Sequence, residues 1–205
     1  MNFNSWQSIT DKSLEQVFDL ILTGADIQTT RGDTWLYHHI GKPNDVLCIL
    51  DFGCGVGRNS FELSKHFPHS LIVGYDSSNM LEFASLYASK KYGKQVHDFA
   101  NVFFMTDWDA VMYHKCSVVL ATIVFQHIKE EDIKKYVADI KKTAKILIVH
   151  GRRFNDEIVD GKYKNTWKIL SDCGLTPVKC IKNGKESPFS IEGPEDEHFT
   201  CIYNL

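Results

Sequence analysis

Five short apolar runs alternate with stretches of helical period over residues 46–149, and this alternation narrows the fold more than any other feature. The runs are Val46–Phe52, Leu71–Tyr75, Val102–Met105, Ser117–Val124 and Lys145–Val149. Their length and β-branched content read as buried strands. A helical stretch runs from about Gly57 to Phe67. Met80, Leu81, Ala84, Tyr87 and Ala88 share one helical face ahead of Gly93. Ile133, Tyr136, Val137 and Ile140 share another, with Lys and Glu between them. Parallel strands cannot be joined by a tight turn. They need crossovers, and crossover helices cover both faces of a sheet. An α/β fold with a doubly wound, mostly parallel sheet is therefore expected.

The pattern changes further on. A helix over 166–173 stops at Gly174, and strands are expected at Thr176–Ile181 and His198–Tyr203. Residues 151–163 and 182–197 read as loops. Ahead of the first strand, Leu14, Val17, Phe18, Ile21 and Leu22 form one helical stretch and Trp35–Ile40 a second. A chain of 205 residues fits one domain. We expect a helical lid over 1–45 and the main domain over 46–205.

Composition excludes several classes. With 43% apolar and 24% charged residues and few glycines and prolines, the chain is neither disordered, collagen-like nor a repeat array. The longest apolar run, Val118–Phe125, is far too short for a membrane span. No secretory leader is visible at Met1–Trp6, so a cytoplasmic protein is expected. A net charge of −3 lacks the basic excess that phosphate contacts require, so nucleic acid is not the expected partner. Cysteines at 48, 54, 116, 173, 180 and 201 form no CxxC pair and read as small buried thiols in a reducing setting. No metal-ligand spacing is present, and none is expected to bind.

The chemistry concentrates at Leu50-Asp51-Phe52-Gly53-Cys54-Gly55-Val56-Gly57-Arg58. A strand, a glycine turn and a helix start let backbone approach a ligand and offer free N–H groups. The spacing is GxGxG, with Arg58 where a dinucleotide fingerprint would carry glycine. Asp51 would sit poorly beside a pyrophosphate and suits a ligand bearing an ammonium group. Asp76 ends the second strand, 19 residues after Gly57, where a carboxylate can accept both ribose hydroxyls. Asp107 ends the third strand and Trp108 follows it. Asp accepts from an exocyclic amine, and Trp can flank an adenine ring.

With these pieces in order, LDFGCGVGRNS (50–60), LIVGYDSSNMLEFA (71–84), FFMTDWD (103–109) and VVLATIVFQHI (118–128), the chain resembles the class I S-adenosylmethionine-dependent methyltransferases. The resemblance implies a seven-stranded sheet of order 3-2-1-4-5-7-6 with strand 7 antiparallel. It implies S-adenosylmethionine as cofactor and S-adenosylhomocysteine as its product. Gly53, Cys54, Gly55 and Gly57 would bring backbone against the methionine part, and Asp51 would orient that loop or the amino group. Asp76 would hold the ribose, with Ser77 and Met80 near the adenosine. Asp107 and Trp108 would face adenine, and Ala121 and Thr122 would offer backbone to the methionine part.

On the acceptor side, Gln126 and His127 follow the fourth strand, where open sheets bind ligands. His127 is the candidate base for an acceptor hydroxyl, and packing or capping is its plain alternative. His150, Arg152 and Arg153 end or follow the fifth strand. The two arginines suit a carboxylate or phosphate, and a solvated charge pair is the alternative. Cys54 reads as a structural thiol. Short flanking segments favour methyl transfer to an oxygen or nitrogen of a small molecule. RNA or protein methylation, a catalytically silent cofactor-binding subunit and a nicotinamide oxidoreductase are the rivals. Arg58 and Asp51 count against the last.

Overall fold

The computed structural model describes residues 36–76, 79–182, 184–194 and 197–205. The stretch Leu14–Leu22, Trp35 and Ser77 lie outside them. The elements are β1 (Cys48–Phe52), α1 (Arg58–His66), β2 (Leu71–Tyr75), a 3-10 segment (Asn79–Phe83), α2 (Ala84–Tyr92), β3 (Val102–Met105), α3 (Trp108–Tyr113), β4 (Val118–Thr122), a 3-10 turn (Phe125–His127) and α4 (Glu130–Thr143). They continue with β5 (Ile146–Arg152), β6 (Phe154–Val159), β7 (Lys162–Asn165), α5 (Thr166–Asp172), β8 (Lys179–Lys182), β9 (Lys185–Glu186) and β10 (His198–Asn204).

The main sheet has the order β3-β2-β1-β4-β5-β10-β8-β9. β1 to β5 pair in parallel, and β10 runs antiparallel to both β5 and β8. With β8 and β10 as the sixth and seventh expected strands, this is the order 3-2-1-4-5-7-6. Two segments differ in detail. β9 adds an eighth strand at the edge, inside the stretch read as a loop. Residues 151–163, also read as a loop, extend β5 and form most of a separate hairpin, β6–β7. That hairpin turns at Asp160-Gly161, both at positive φ (53° and 75°). An Asp-Gly pair is a strong two-residue hairpin signal. The mixed polar residues of FNDEIV and KYKN mask it, because neither run alternates cleanly.

Strand alternation divides the core into two layers. Leu50, Phe52, Val73, Tyr75, Val119, Ala121, Leu147, Val149, Phe199 and Cys201 face α4, α5 and Trp108. Ile49, Ile72, Val118, Leu120, Ile148 and Ile202 face Phe61 and Leu63 of α1 and Tyr87 of α2. Asp51 shares the parity of Ile49 and so points toward α1. In α4, Glu130, Glu131 and Asp132 open the first turn and Lys141 and Lys142 close the last, which complements the helix dipole.

The cysteines depart from the expectation of separate thiols. Cys48 and Cys116 form a disulfide pair with Cα atoms 4.6 Å apart. Cys180 and Cys201 face each other across β8 and β10, sulfurs 2.8 Å apart. Strand pairing brings together residues that sequence spacing keeps apart. Among the described residues, no helix is long and apolar enough to cross a membrane.

Candidate functional site

The C-terminal ends of β1, β2, β4 and β5 lie side by side, and the glycine turn crosses them. The Gly53 and Cys54 N–H groups both donate to the Tyr75 carbonyl, at 2.8 and 2.9 Å, which binds the turn to β2. Gly57 has φ 81°, and a Cβ there would lie 2.3 Å from Phe104 Cζ. Only glycine satisfies both constraints. A Cβ at Gly55 would meet nothing within 4 Å among the described residues, so this part of the turn faces open space.

Asp76 lies directly across from that opening. Its Oδ2 accepts the Gly55 N–H at 2.8 Å. Asp51 sits below, 1% exposed, and accepts from Ser60 Oγ at 2.6 Å. Burial pushes its carboxyl up to about 7; the Ser60 bonds oppose the rise and Asp76 adds to it. Asp51 therefore acts on the turn through the first residues of α1. Burial pushes the Cys54 thiol far up, in keeping with a structural role. Met80 is buried against the α1–α2 layer.

Asp107 and Trp108 take other partners. Asp107 is exposed and caps α3, its Oδ1 accepting from Asp109 N at 2.9 Å. Trp108 is buried, and its Nε1 donates to Asp139 Oδ2 at 3.0 Å. Its ring packs within 5.6 Å of Phe52, Tyr75 and Tyr136. The structure places this indole in the core behind β1 and β2.

Ala121 is buried at the end of β4. The hydroxyl of Thr122, next along, is buried with no partner among the described residues. Ile123 follows at φ 57°, a strained value for a β-branched residue, with its N–H on the His150 carbonyl at 2.7 Å. Strain of this kind clusters at functional sites, and only backbone geometry reveals it.

The acceptor-side candidates separate into two groups. Gln126, His127 and Arg152 are joined. Gln126 Oε1 accepts the Arg152 N–H at 3.1 Å, and its Nε2 lies 3.3 Å from His127 Nε2. Burial and the Arg152 guanidinium push the His127 imidazole down to about 4, so it is neutral at pH 7. His127 Nδ1 meets Asp156 Oδ2 at 2.5 Å, a partner the sequence pattern does not flag. His150 Nδ1 bonds Thr200 Oγ1 at 2.7 Å, and burial with His198 nearby pushes its ring to about 4. Arg153 stands apart. It is 1% exposed, pairs with Glu197, donates to the Ser190 carbonyl at 2.6 Å and lies over the Phe199 ring. It fastens Ser190 and Glu197 to the sheet. Among the described residues, no group of three or more His, Cys, Asp or Glu could hold a metal.

The methyltransferase domain family model matches residues 49–146. No curated protein matches the sequence. Magnesium protoporphyrin IX methyltransferase from Synechocystis PCC 6803, solved with bound S-adenosylhomocysteine, is 21% identical with a TM-score of 0.59; the match covers 98% of this chain and 93% of that one. The 1,6-didemethyltoxoflavin N1-methyltransferase from Burkholderia thailandensis is 16% identical at TM-score 0.57, covering 93% and 86%. A Pnkp1/Rnl/Hen1 RNA repair complex contains a chain 16% identical at TM-score 0.55, covering 95% and 49%.

Proposed function

From the methyltransferase domain match over residues 49–146 and the Rossmann-like sheet, we propose that the chain binds S-adenosylmethionine at the ends of β1, β2 and β4 and methylates an oxygen or nitrogen of a small molecule. One observation carries the reading. The Asp76 carboxylate at the end of β2 accepts the Gly55 N–H of the glycine turn at 2.8 Å, and a Cβ at Gly55 would meet nothing within 4 Å among the described residues.

The residues present fit the cofactor. Among the described residues nothing stands within 4 Å of a Cβ at Gly55 and the buried Thr122 hydroxyl has no partner, and Asp76 supplies acceptors for ribose hydroxyls. When bound, S-adenosylmethionine supplies a methyl group already activated by a positively charged sulfur. The chain's own tasks are alignment, exclusion of water and removal of a proton. Asp76 orients the ribose. Gly53, Cys54 and Gly57 hold the turn's shape, with Asp51 anchoring Ser60 beneath it. Ala121 and Thr122 border the methionine part, and Met80 borders the adenosine. His127, joined to Gln126 and Arg152, faces the acceptor and takes its proton, and His150 borders the acceptor from β5. The pairing of Arg153 with Glu197 assigns that residue to the scaffold instead.

The small-molecule reading draws support from the net charge of −3 and from the porphyrin and toxoflavin enzymes among the similar structures. The RNA repair complex makes an RNA acceptor the second reading to test. Calorimetry should detect S-adenosylmethionine and S-adenosylhomocysteine and no comparable NADH binding. Asp76→Ala should weaken cofactor binding by about 2–3 kcal/mol, a lost charge-assisted hydrogen-bond pair. NADH preference refutes the reading, and unchanged affinity in the variant removes Asp76 from the site. Methyl transfer to RNA oligonucleotides but not to small phenols or amines would favour the second reading.

A further inference from the structure

The acid that meets His127 comes from the separate hairpin, not from the sheet. Asp156 on β6 places Oδ2 2.5 Å from His127 Nδ1, and its Oδ1 accepts from Arg152 Nη2. The Arg152 N–H in turn holds Gln126 Oε1 at 3.1 Å, which turns the Gln126 amide nitrogen toward His127 Nε2. Each contact orients the next. An ionised carboxylate only accepts, so Asp156 accepts a hydrogen bond from Nδ1–H and leaves Nε2 of a neutral imidazole as the lone-pair nitrogen. The contact on Nε2 is 3.3 Å long, weak enough for an incoming hydroxyl to replace.

The side chains of His127, Asp156 and Arg152 are 24%, 24% and 26% exposed, so a solute can reach them while they stay fixed. The neighbours of Asp156 hold β6 in place independently. Asn155 Nδ2 donates to the Ile128 carbonyl at 3.3 Å, and Glu157 accepts from Glu130 N at 3.0 Å. The hairpin does not need Asp156 for attachment.

We infer that Asp156 is a positioning residue that holds His127 as the Nδ1–H tautomer, so that Nε2 takes the proton of an acceptor hydroxyl. This rests on the methyl-transfer reading above. In the step, the acceptor O–H bond breaks and an N–H bond forms at Nε2. The oxygen keeps the electron pair and bonds the methyl carbon, and the pair of the broken S–CH3 bond stays on sulfur. Asp156 offsets the imidazolium charge. A neutral amine needs no base before it attacks, so the dyad assigns the acceptor to the hydroxyl-bearing class.

The test reads the imidazole directly. Protein labelled with 15N-histidine, with His127→Gln to assign the signal, reports which ring nitrogen carries the proton at pH 7. Wild type should show a protonated Nδ1 with a low-field proton resonance. Asp156→Ala should lose that resonance and shift toward the Nε2–H form, and Asp156→Glu should restore part of it. A wild-type imidazole protonated at Nε2, or an unchanged tautomer in Asp156→Ala, overturns the proposal. If Asp156→Ala fails to fold, the wild-type tautomer alone decides. Calorimetry with S-adenosylmethionine on the same samples separates the two claims. A wild-type protein that does not bind refutes the methyl-transfer reading. A variant that binds normally yet loses the tautomer places the defect in the dyad.

Discussion

Replacing Asp51 by Asn should remove a pH-dependent penalty built into the site's foundation. Asp51 is 1% exposed, and burial lifts its carboxyl from an ordinary 3.8 to about 7. Between those values the folded chain holds a proton that the unfolded chain releases. The unfolded state then binds fewer protons, so stability falls as pH rises. At about 1.4 kcal/mol per pH unit, the loss by pH 8 is roughly 4 kcal/mol relative to pH 4. His127 and His150 act in the opposite sense. Each is held at about 4 against an ordinary 6.5, so the unfolded chain takes protons that the folded one refuses, and stability rises with pH through that window. The wild-type curve alone therefore mixes opposing terms. Asn is nearly isosteric and keeps a carbonyl oxygen for the Ser60 hydroxyl. Urea unfolding of both proteins from pH 4 to 8.5 isolates the carboxylate. Wild type should lose roughly 4 kcal/mol relative to Asp51→Asn across that range. A difference that stays flat with pH would refute the assignment of a protonated, buried Asp51.

Two further substitutions test the surroundings. Gly57→Ala should lower stability by about 2–3 kcal/mol, because the new methyl meets Phe104 at a backbone angle reserved for glycine, and an unchanged urea midpoint would contradict that. Trp108→Phe should cost about 1 kcal/mol through the lost Asp139 bond while leaving S-adenosylmethionine affinity unchanged; a large loss of affinity would return this indole to the adenine site.

The order of β1 to β5 across the sheet came from the family resemblance, while the alternation of short apolar runs with helical periods marked them as strands of a parallel sheet and placed the glycine turn. Those features are local. A strand's period, a positive φ at glycine and a carboxylate at a strand end are each written in a few consecutive residues. The parity of β1 even sets the face of Asp51, although its partner Ser60 becomes evident only once α1 is docked. Trp108 shows the limit. An indole after a strand-ending Asp suits an adenine site equally well as a core, and only the tertiary structure shows it packed against Phe52, Tyr75 and Tyr136. The Asp160-Gly161 turn was present in the chain but masked by polar strands.

The partners of His127 and Arg153, and the cysteine pairs, were decided by tertiary structure alone. Asp156 lies 29 residues from His127, Glu197 lies 44 from Arg153, and Cys116 lies 68 from Cys48. Such meetings depend on strand register and on how a hairpin packs over the sheet. A one-residue slip would reverse every side chain on a strand, and no local pattern encodes which distant residue then stands opposite.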